Sequence, residues 1–381
     1  MKRVILLGSS GSIGESTCKV ARQLPEEMKL VGLAVHSSVD KVVAQAAEFE
    51  VEAVTICHAD KATEAEGKLP ADCRLFKNES GLVEMVESVE ADMVLVAIVG
   101  TAGLAPALSA LKTGKDIAVA SKEILVMAGE IVTETAREMQ RSILPVDSEH
   151  NAIFQCLRES KPEQVRRLIL TASGGPFRNK PKEEFKDIRL EQALKHPTWD
   201  MGQKITIDSA TMFNKGLEMI EARWLFDIEM ARIDVTVHPQ SIVHSMVEFL
   251  DHSVLAQLSH SDMCFPIQYA VTYPNRLQND LQPLDFAKLG QLIFEAPDED
   301  KFPALRLARE AGTVGGTMPA VMNAANEVAV AHFIEDGAGF TKISETVEKV
   351  MNTHENIASP NLDAIVGADS WARECAEELY K

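Results

Sequence analysis

The 381-residue sequence predicts an α/β protein: a doubly wound parallel sheet, then an α+β domain with a mixed sheet, then a helical C-terminal domain. Three observations carry this. Short apolar runs alternate with helical segments up to about residue 150. Strand-like runs then follow one another directly between 204 and 259, and from 302 onward the periodicity is helical, as in "PAVMNAANEVAVAHFIED" at 319–336.

The first strands are "RVILLG" (3–8), "LVGLAV" (30–35), "AVTIC" (53–57), "MVLVAIVG" (93–100), "DIAVA" (116–120) and "ILPV" (143–146). They are apolar on both faces and rich in Val and Ile, as strands covered by helices on two sides must be. In the second region "KITID" (204–208), "VTVHP" (235–239), "SIVHSMVEF" (241–249) and "SVLAQLS" (253–259) read as strands, with a turn at Asp251 and His252. Proline and polar residues gather in "TYPNRLQNDLQPLDF" (272–286), which reads as a linker.

Composition narrows the function. Net charge is −19, which repels nucleic-acid backbones and anionic membranes but is compatible with a small anionic substrate in a local basic pocket. Six cysteines (18, 57, 73, 156, 264 and 375) form no CxxC pair, the pattern of reduced thiols in a cytoplasmic protein. The start "MKRVILLG" reads as a strand rather than a signal peptide. The longest apolar run, 93–100, is too short to span a bilayer.

"GSSGSIG", Gly8 to Gly14, follows the first strand and precedes a helix. Glycines let backbone approach a pyrophosphate, and the helix start offers N–H groups and a positive dipole end. Its place at the first βα turn favours a Rossmann-like cofactor site; the other reading is a tight strand-to-helix turn without ligand. An NAD site has an acid after the second strand; here His36, Ser37 and Ser38 stand there and the first carboxylate is Asp40, which favours NADP.

"PVDSEHNAIFQ" (145–155) sets Asp147 and Glu149 two apart after a strand. If that stretch is extended, both acids converge and hold a hard divalent cation such as Mg²⁺ or Mn²⁺. The other reading is an N-cap and first-turn acid for a helix beginning near Asn151. In "IDSATMFNKGLEMIEARWLF" (207–226), Phe213, Leu217, Ile220 and Trp224 form a buried stripe, with Asn214, Lys215 and Glu218 on an adjacent face. That face is either solvated or, with Ser209, a phosphate cradle from which Glu218 reaches a metal. "ASGGPFRNKPKEEFKDIRLEQALKHPTWDMG" (172–202) reads as a lid carrying His196 and Trp199, although core packing is the commoner fate of a tryptophan. Lys122, in "ASKEIL", points to the edge that carries Asp147 or to solvent. Cys156 reads as helix packing rather than as an aldehyde dehydrogenase nucleophile.

"GSSGSIG", "ASKE", "PVDSEHNAIFQ", "SGGPF", "HPTWDMG", "KITIDSATMFNKGLEMIEARWLF", "HPQSIVHSMV" and "NAANE" occur in that order across nearly the whole chain. Together they resemble the 1-deoxy-D-xylulose 5-phosphate reductoisomerases of the non-mevalonate isoprenoid pathway. The resemblance implies an NADPH-binding domain at 1–146, a catalytic and dimerisation domain at 147–272, a linker at 273–298 and a helical domain at 299–381. It implies a cytoplasmic V-shaped homodimer with one divalent metal per site, Mg²⁺ or Mn²⁺ with Co²⁺ as a further candidate, ligated by Asp147, Glu149 and Glu218. Ser173, Ser209, Asn214 and Lys215, with His196 nearby, would hold the substrate phosphate; Ser148 and Lys122 would meet substrate oxygens. Trp199 and Met201 belong to the implied lid. Gly8, Ser10, Gly11, Ser12, Ile13, His36, Ser37, Ser38, Ser121, Glu123 and Gly202 would line the cofactor; His150 and His244 match family histidines.

The implied reaction is metal-assisted rearrangement of the sugar phosphate by retro-aldol and aldol steps, then hydride transfer from NADPH to give 2-C-methyl-D-erythritol 4-phosphate. The sequence departs from the family at His36–Ser38, where Gly-Lys/Arg-Asn is usual, and at Ser121, usually Asn. Two other readings of the chain are a metal-free NADP reductase of a small phosphorylated or acidic aldehyde and a non-catalytic NADPH sensor.

Overall fold

A computed structural model describes every residue except Glu159 and Asp200, the latter inside the stretch read as a lid. The chain divides into two compact units. One holds Met1–Ile124, Val132–Asn151 and Asp262–Leu281; the other holds Leu125–Ile131, Ala152–Ser261 and Gln282–Lys381.

The first unit is built on a seven-stranded parallel sheet: β1 (Lys2–Leu7), β2 (Met28–Val35), β3 (Ala53–Ile56), β4 (Arg74–Lys77), β5 (Met93–Val96), β6 (Asp116–Val119) and β7 (Ile143–Pro145). Their order is β4-β3-β2-β1-β5-β6-β7, so the winding reverses between β1 and β5. An open α/β sheet binds its ligand at the carboxyl ends beside that reversal. Strand β4 was not anticipated. Its sequence, RLFK, starts and ends with exposed charged side chains, as an edge strand requires, and so lacks the apolar signature of its neighbours. The helix Cys264–Thr272 belongs to this unit although it lies far along the chain. The Cys264 thiol approaches Ser16 O at 3.8 Å, and Asn151 Nδ2 donates to Pro266 O at 3.1 Å.

The second unit carries a mixed sheet in the order β11-β10-β8-β9, from β8 (Val165–Ala172), β9 (Ile233–Val237), β10 (Val243–Phe249) and β11 (Val254–Leu258). Strands β8 and β9 run parallel, while β10 runs antiparallel to both β8 and β11. The expected turn at Asp251–His252 joins β10 and β11, with Phe249 N–H donating to Ser253 O at 2.9 Å. Strand β8, an interior strand of the sheet, was not anticipated; buried Val165, Leu168 and Leu170 alternating with Arg166 and Ile169 is the signal that identifies it.

"KITID" is not a strand. It lies in the helix Gln203–Thr211. Its β-branched residues suit a strand, but Lys204 and Asp208 make a 2.8 Å pair one turn apart, and buried Asp208 accepts from Asn326 Nδ2 at 2.8 Å. Tertiary context overrides a weak local preference here.

Nor is 172–202 a lid throughout. Phe177 and Phe185 are buried and pack on Phe340 and Phe302, with ring centroids 5.3 and 5.5 Å apart. Between Ala193 and Gln203 the described residues form no helix or strand. The helices Ala304–Val314, Met318–Glu335, Phe340–Thr353 and Leu362–Glu378 share one continuous apolar core with β8, β10 and the helix Phe213–Phe226. The compact units therefore follow a different partition from the expected domain boundaries: the mixed sheet and the C-terminal helices are one unit, and the expected linker is divided after Leu281.

Candidate functional site

In the first unit the glycine loop sits at the carboxyl end of β1. Gly8 has φ +95°, and a Cβ there would lie 2.4 Å from Ala97 O, so β1 and β5 admit only glycine at their junction. A Cβ on Gly14 would lie 2.3 Å from Gly8 O, whereas one on Gly11 would meet only Gly8 O at 3.6 Å. Gly8 and Gly14 thus hold the turn, and Gly11 leaves open space before the helix Ser12–Gln23, which it caps without a side chain. The first N–H groups of that helix face outward with the positive end of its dipole. Ser10 and Ile13 are half-buried beside them and Ser12 is exposed. Ser9 Oγ is buried and has no hydrogen-bond partner among the described residues. This loop fits a pyrophosphate. Gln45 Nε2 donates to Ser9 O at 3.1 Å and Lys41 Nζ to Ser10 O at 2.9 Å, tying the loop to the helix Val39–Phe49.

Beyond β2 lie exposed His36 and Ser37 and half-buried Ser38. His58, which the sequence did not single out, stands beside them after β3. Its N–H donates to His36 O at 2.8 Å. On the other side of β1, Ser121 Oγ donates to Ile98 O and joins the ends of β5 and β6; Lys122 and Glu123 follow, both buried.

Lys122 Nζ donates to Asp147 Oδ2 at 2.6 Å, both side chains being almost wholly buried. A cation is what a carboxylate needs there. Asp147 O accepts from Asn151 N at 2.8 Å at the start of the helix Ser148–Cys156, and Ser148 Oγ donates to Glu149 Oε2 at 2.5 Å. The stretch 147–149 is therefore not extended, and strand alternation does not relate the two acids. The cap reading describes the backbone, with the helix starting at Ser148 rather than near Asn151. Oxygen-only donors from Asp147, Glu149 and Ser148 still suit a hard divalent ion. His150 is fully buried in the same turn.

In the second unit the stripe of the helix Phe213–Phe226 is as expected: Phe213, Leu217 and Ile220 are fully buried and Trp224 half-buried. The polar face is not solvated. Lys215 and Glu218 are 3% and 1% exposed and form an ion pair, and Asn214 Nδ2 donates to Glu218 Oε1 at 2.5 Å. Met212, with φ +67°, joins this helix to Gln203–Thr211, near whose end Ser209 lies. Gly175 lets the loop after β8 approach closely, since a Cβ there would be 2.8 Å from Ser209 O. That loop brings Ser173 in. Ser173 Oγ lies 3.0 Å from His196 Nε2, while His196 Nδ1 accepts from the N–H of Trp199 at 3.0 Å. With Nδ1 an acceptor, Nε2 carries the proton and donates to Ser173. Half-buried Trp199 meets His244 at 6.2 Å between ring centroids, and exposed Gly202 caps the helix Gln203–Thr211, with Met201 before it.

The cysteines carry no nucleophile signature. Burial pushes the Cys18 and Cys264 thiols up to about 12. Cys156 packs against the apolar core of the second unit, as read. Among the described residues no helix is long and apolar enough to cross a membrane.

Family models match three stretches. That of 1-deoxy-D-xylulose 5-phosphate reductoisomerase matches 4–129, that of its C-terminal domain 143–226, and that of the DXP reductoisomerase C-terminal domain 258–375. A relative named 1-deoxy-D-xylulose 5-phosphate reductoisomerase from Chlorobium phaeobacteroides is 51% identical over 382 residues, covering 100% of both chains. A solved structure of the enzyme from Zymomonas mobilis in complex with NADPH is 41% identical with TM-score 0.93, covering 100% of this chain and 99% of that one. A DOX-P reductoisomerase in complex with NADPH, fosmidomycin and magnesium is 39% identical with TM-score 0.93, covering 99% and 98%.

Proposed function

The chain belongs to the 1-deoxy-D-xylulose 5-phosphate reductoisomerase family, and from that premise we propose that it converts 1-deoxy-D-xylulose 5-phosphate to 2-C-methyl-D-erythritol 4-phosphate in non-mevalonate isoprenoid biosynthesis, using NADPH and a divalent metal. The observation that carries the reading is the buried Lys215–Glu218 pair with half-buried Asn214 bonded to it. A lysine and a glutamate sealed from water cost stability, and a phosphate and a metal ion are the partners that make them useful. When bound, NADPH supplies a hydride and the divalent ion supplies Lewis acidity.

The remaining work falls to side chains. Asp147, Glu149 and Glu218 are the proposed ligands of Mg²⁺ or Mn²⁺. Lys215, Asn214, Ser209 and Ser173 hold the substrate phosphate, and His196, its Nε2 proton directed at Ser173, orients that hydroxyl. A phosphate gripped this way supplies binding energy far from the reacting carbons, which serves to orient them. Lys122 and Ser148 donate to substrate oxygens, Lys122 from its ion pair with Asp147. Trp199 and Met201 cover the substrate and exclude water. Gly8, Ser10, Gly11, Ser12 and Ile13 cradle the cofactor's pyrophosphate, Ser121, Glu123 and Gly202 complete its nicotinamide side, and His36, Ser37 and Ser38 meet the adenosine ribose. The first unit is thereby the NADPH-binding part and the second carries the substrate cradle.

The protein is proposed to be a cytoplasmic homodimer. Exposed Val254 and Leu255 on edge strand β11 support pairing through the mixed sheet, because an apolar edge left open invites a second strand. The test of the activity is NADPH oxidation on adding 1-deoxy-D-xylulose 5-phosphate, with and without a chelator. Turnover that stops with chelator and returns with Mn²⁺ supports the reading. Turnover indifferent to chelator points to a metal-free reductase, and none at all to a binding protein.

A further inference from the structure

The ribose 2′ position of a dinucleotide lies at the end of the second strand of the first βαβ unit. An acid there selects NAD; a cation there selects NADP. This chain has neither at 36–38. The ends of β2 and β3 nevertheless place a second basic group beside the first. Val35 pairs with Ile56 in parallel register, and the ladder continues past the sheet: Cys57 N donates to Val35 O at 3.0 Å and His58 N to His36 O at 2.8 Å. The two imidazoles, 22 positions apart in sequence, meet edge to face with centroids 5.9 Å apart and an interplanar angle of 86°. Both residues are exposed, and among the described residues neither ring hydrogen-bonds an acid.

The nearby lysines are already engaged. Lys41 binds Ser10 O and pairs with Glu15 at 3.0 Å, and Lys61 pairs with Glu64 at 2.8 Å. The remaining charges on the two adjoining helix starts are Asp40 and Asp60. The imidazole pair is thus the group at this edge with N–H donors to spare, and an imidazole both donates N–H bonds and gains charge on protonation.

We propose that His58, together with His36, is a specificity-determining residue: the two rings grip the cofactor's 2′-phosphate from adjacent strand ends, in place of a lysine or arginine after β2. The assignment rests on the NADPH reading given above. Ser37 and Ser38 add hydroxyl and backbone donors on one side only, whereas His58 closes the site from the β3 side.

The experiment is direct binding of NADPH and NADH to the full-length protein, followed by nicotinamide fluorescence, without substrate or metal. Wild type is compared with His58→Ala, His36→Ala, the double variant and His58→Gln, which keeps an N–H donor. His58→Ala should weaken NADPH binding about tenfold and leave NADH binding within about twofold, the loss of one charge-assisted hydrogen bond. The double variant should lose most of the preference, and His58→Gln should recover part of it. If His58→Ala weakens both cofactors equally, the ring meets adenine or only supports the loop, and the inference falls. If it changes neither, the inference falls likewise while the NADPH reading stands. A wild type that binds NADH as tightly as NADPH overturns both.

Discussion

On the proposed function, the two compact units bind anions by opposite means. In the first, the loop Gly8–Gly14 does it with backbone: small residues, a helix start without a side-chain cap and little fixed charge. In the second, the helix Phe213–Phe226 does it with side chains, a lysine and an asparagine held against a buried glutamate. Backbone sites tolerate almost any side chain that is small enough but no change of shape. Side-chain sites tolerate shape but not loss of charge. The lesson is that the first site is sensitive to volume and the second to electrostatics.

The sharpest break of that contrast is Gly8→Ala. One methyl group would meet Ala97 O at 2.4 Å at a φ of +95°, so the turn must move. NADPH binding should fall by roughly a hundredfold or more, with substrate-side chemistry untouched in the second unit; fluorescence titration reads it, and near-normal affinity would mean that the loop does not hold the cofactor. Next is Glu218→Gln, which keeps shape and removes charge. Its half-saturating Mn²⁺ concentration should rise at least about tenfold while the circular dichroism spectrum is unchanged, because Phe213, Leu217 and Ile220 keep their packing. Wild-type activity at limiting Mn²⁺ would remove Glu218 from the ligand set.

Lys215→Ala should cost about 2–3 kcal/mol of transition-state binding, roughly 30- to 150-fold in kcat/KM. The loss should shrink when a substrate lacking the phosphate is compared. Equal losses for both substrates would assign Lys215 to folding alone.

The smallest effect separates buried charge from surface charge within the second unit. His332 stacks on Tyr380 at 4.1 Å and bonds Asp336 at 2.5 Å and Glu377 at 2.8 Å. Partial burial pulls its pKa down, but hydrogen bonds to Glu377 and Asp336 and their charges outweigh it, so the pKa stands above the ordinary value. A raised folded-state pKa means that the stabilisation is complete below the unfolded value of about 6.5 and fades as pH rises through the folded one. His332→Gln should therefore lower stability by a few tenths to about 1 kcal/mol at pH 6 and by less at pH 9, measured by urea unfolding. A difference independent of pH would leave only the ring stacking.

Legibility in the sequence follows the same division. The covered parallel sheet was readable because its strands are apolar on both faces, and the glycine loop because glycine spacing is itself the signal. The stripe of Phe213, Leu217 and Ile220 was readable from period alone. Edge strand β4 was not, since exposure removes the apolar pattern, and "KITID" was misread because local preference is weak beside Asp208–Asn326, a contact across 118 positions.

By itself the sequence determined the α/β class, the order of strand-rich and helix-rich regions, the loop at the first turn, and the residue types that a metal, a phosphate and a dinucleotide require. Those follow from local period and chemistry, which are properties of neighbouring residues. Only the tertiary structure decided that Lys215 and Glu218 are sealed from water, that 147–149 is a helix start, that Phe177 and Phe185 anchor most of the expected lid, and that His58 stands against His36. Each of these depends on which distant segments exclude solvent or meet in register, and no window of the chain contains that information.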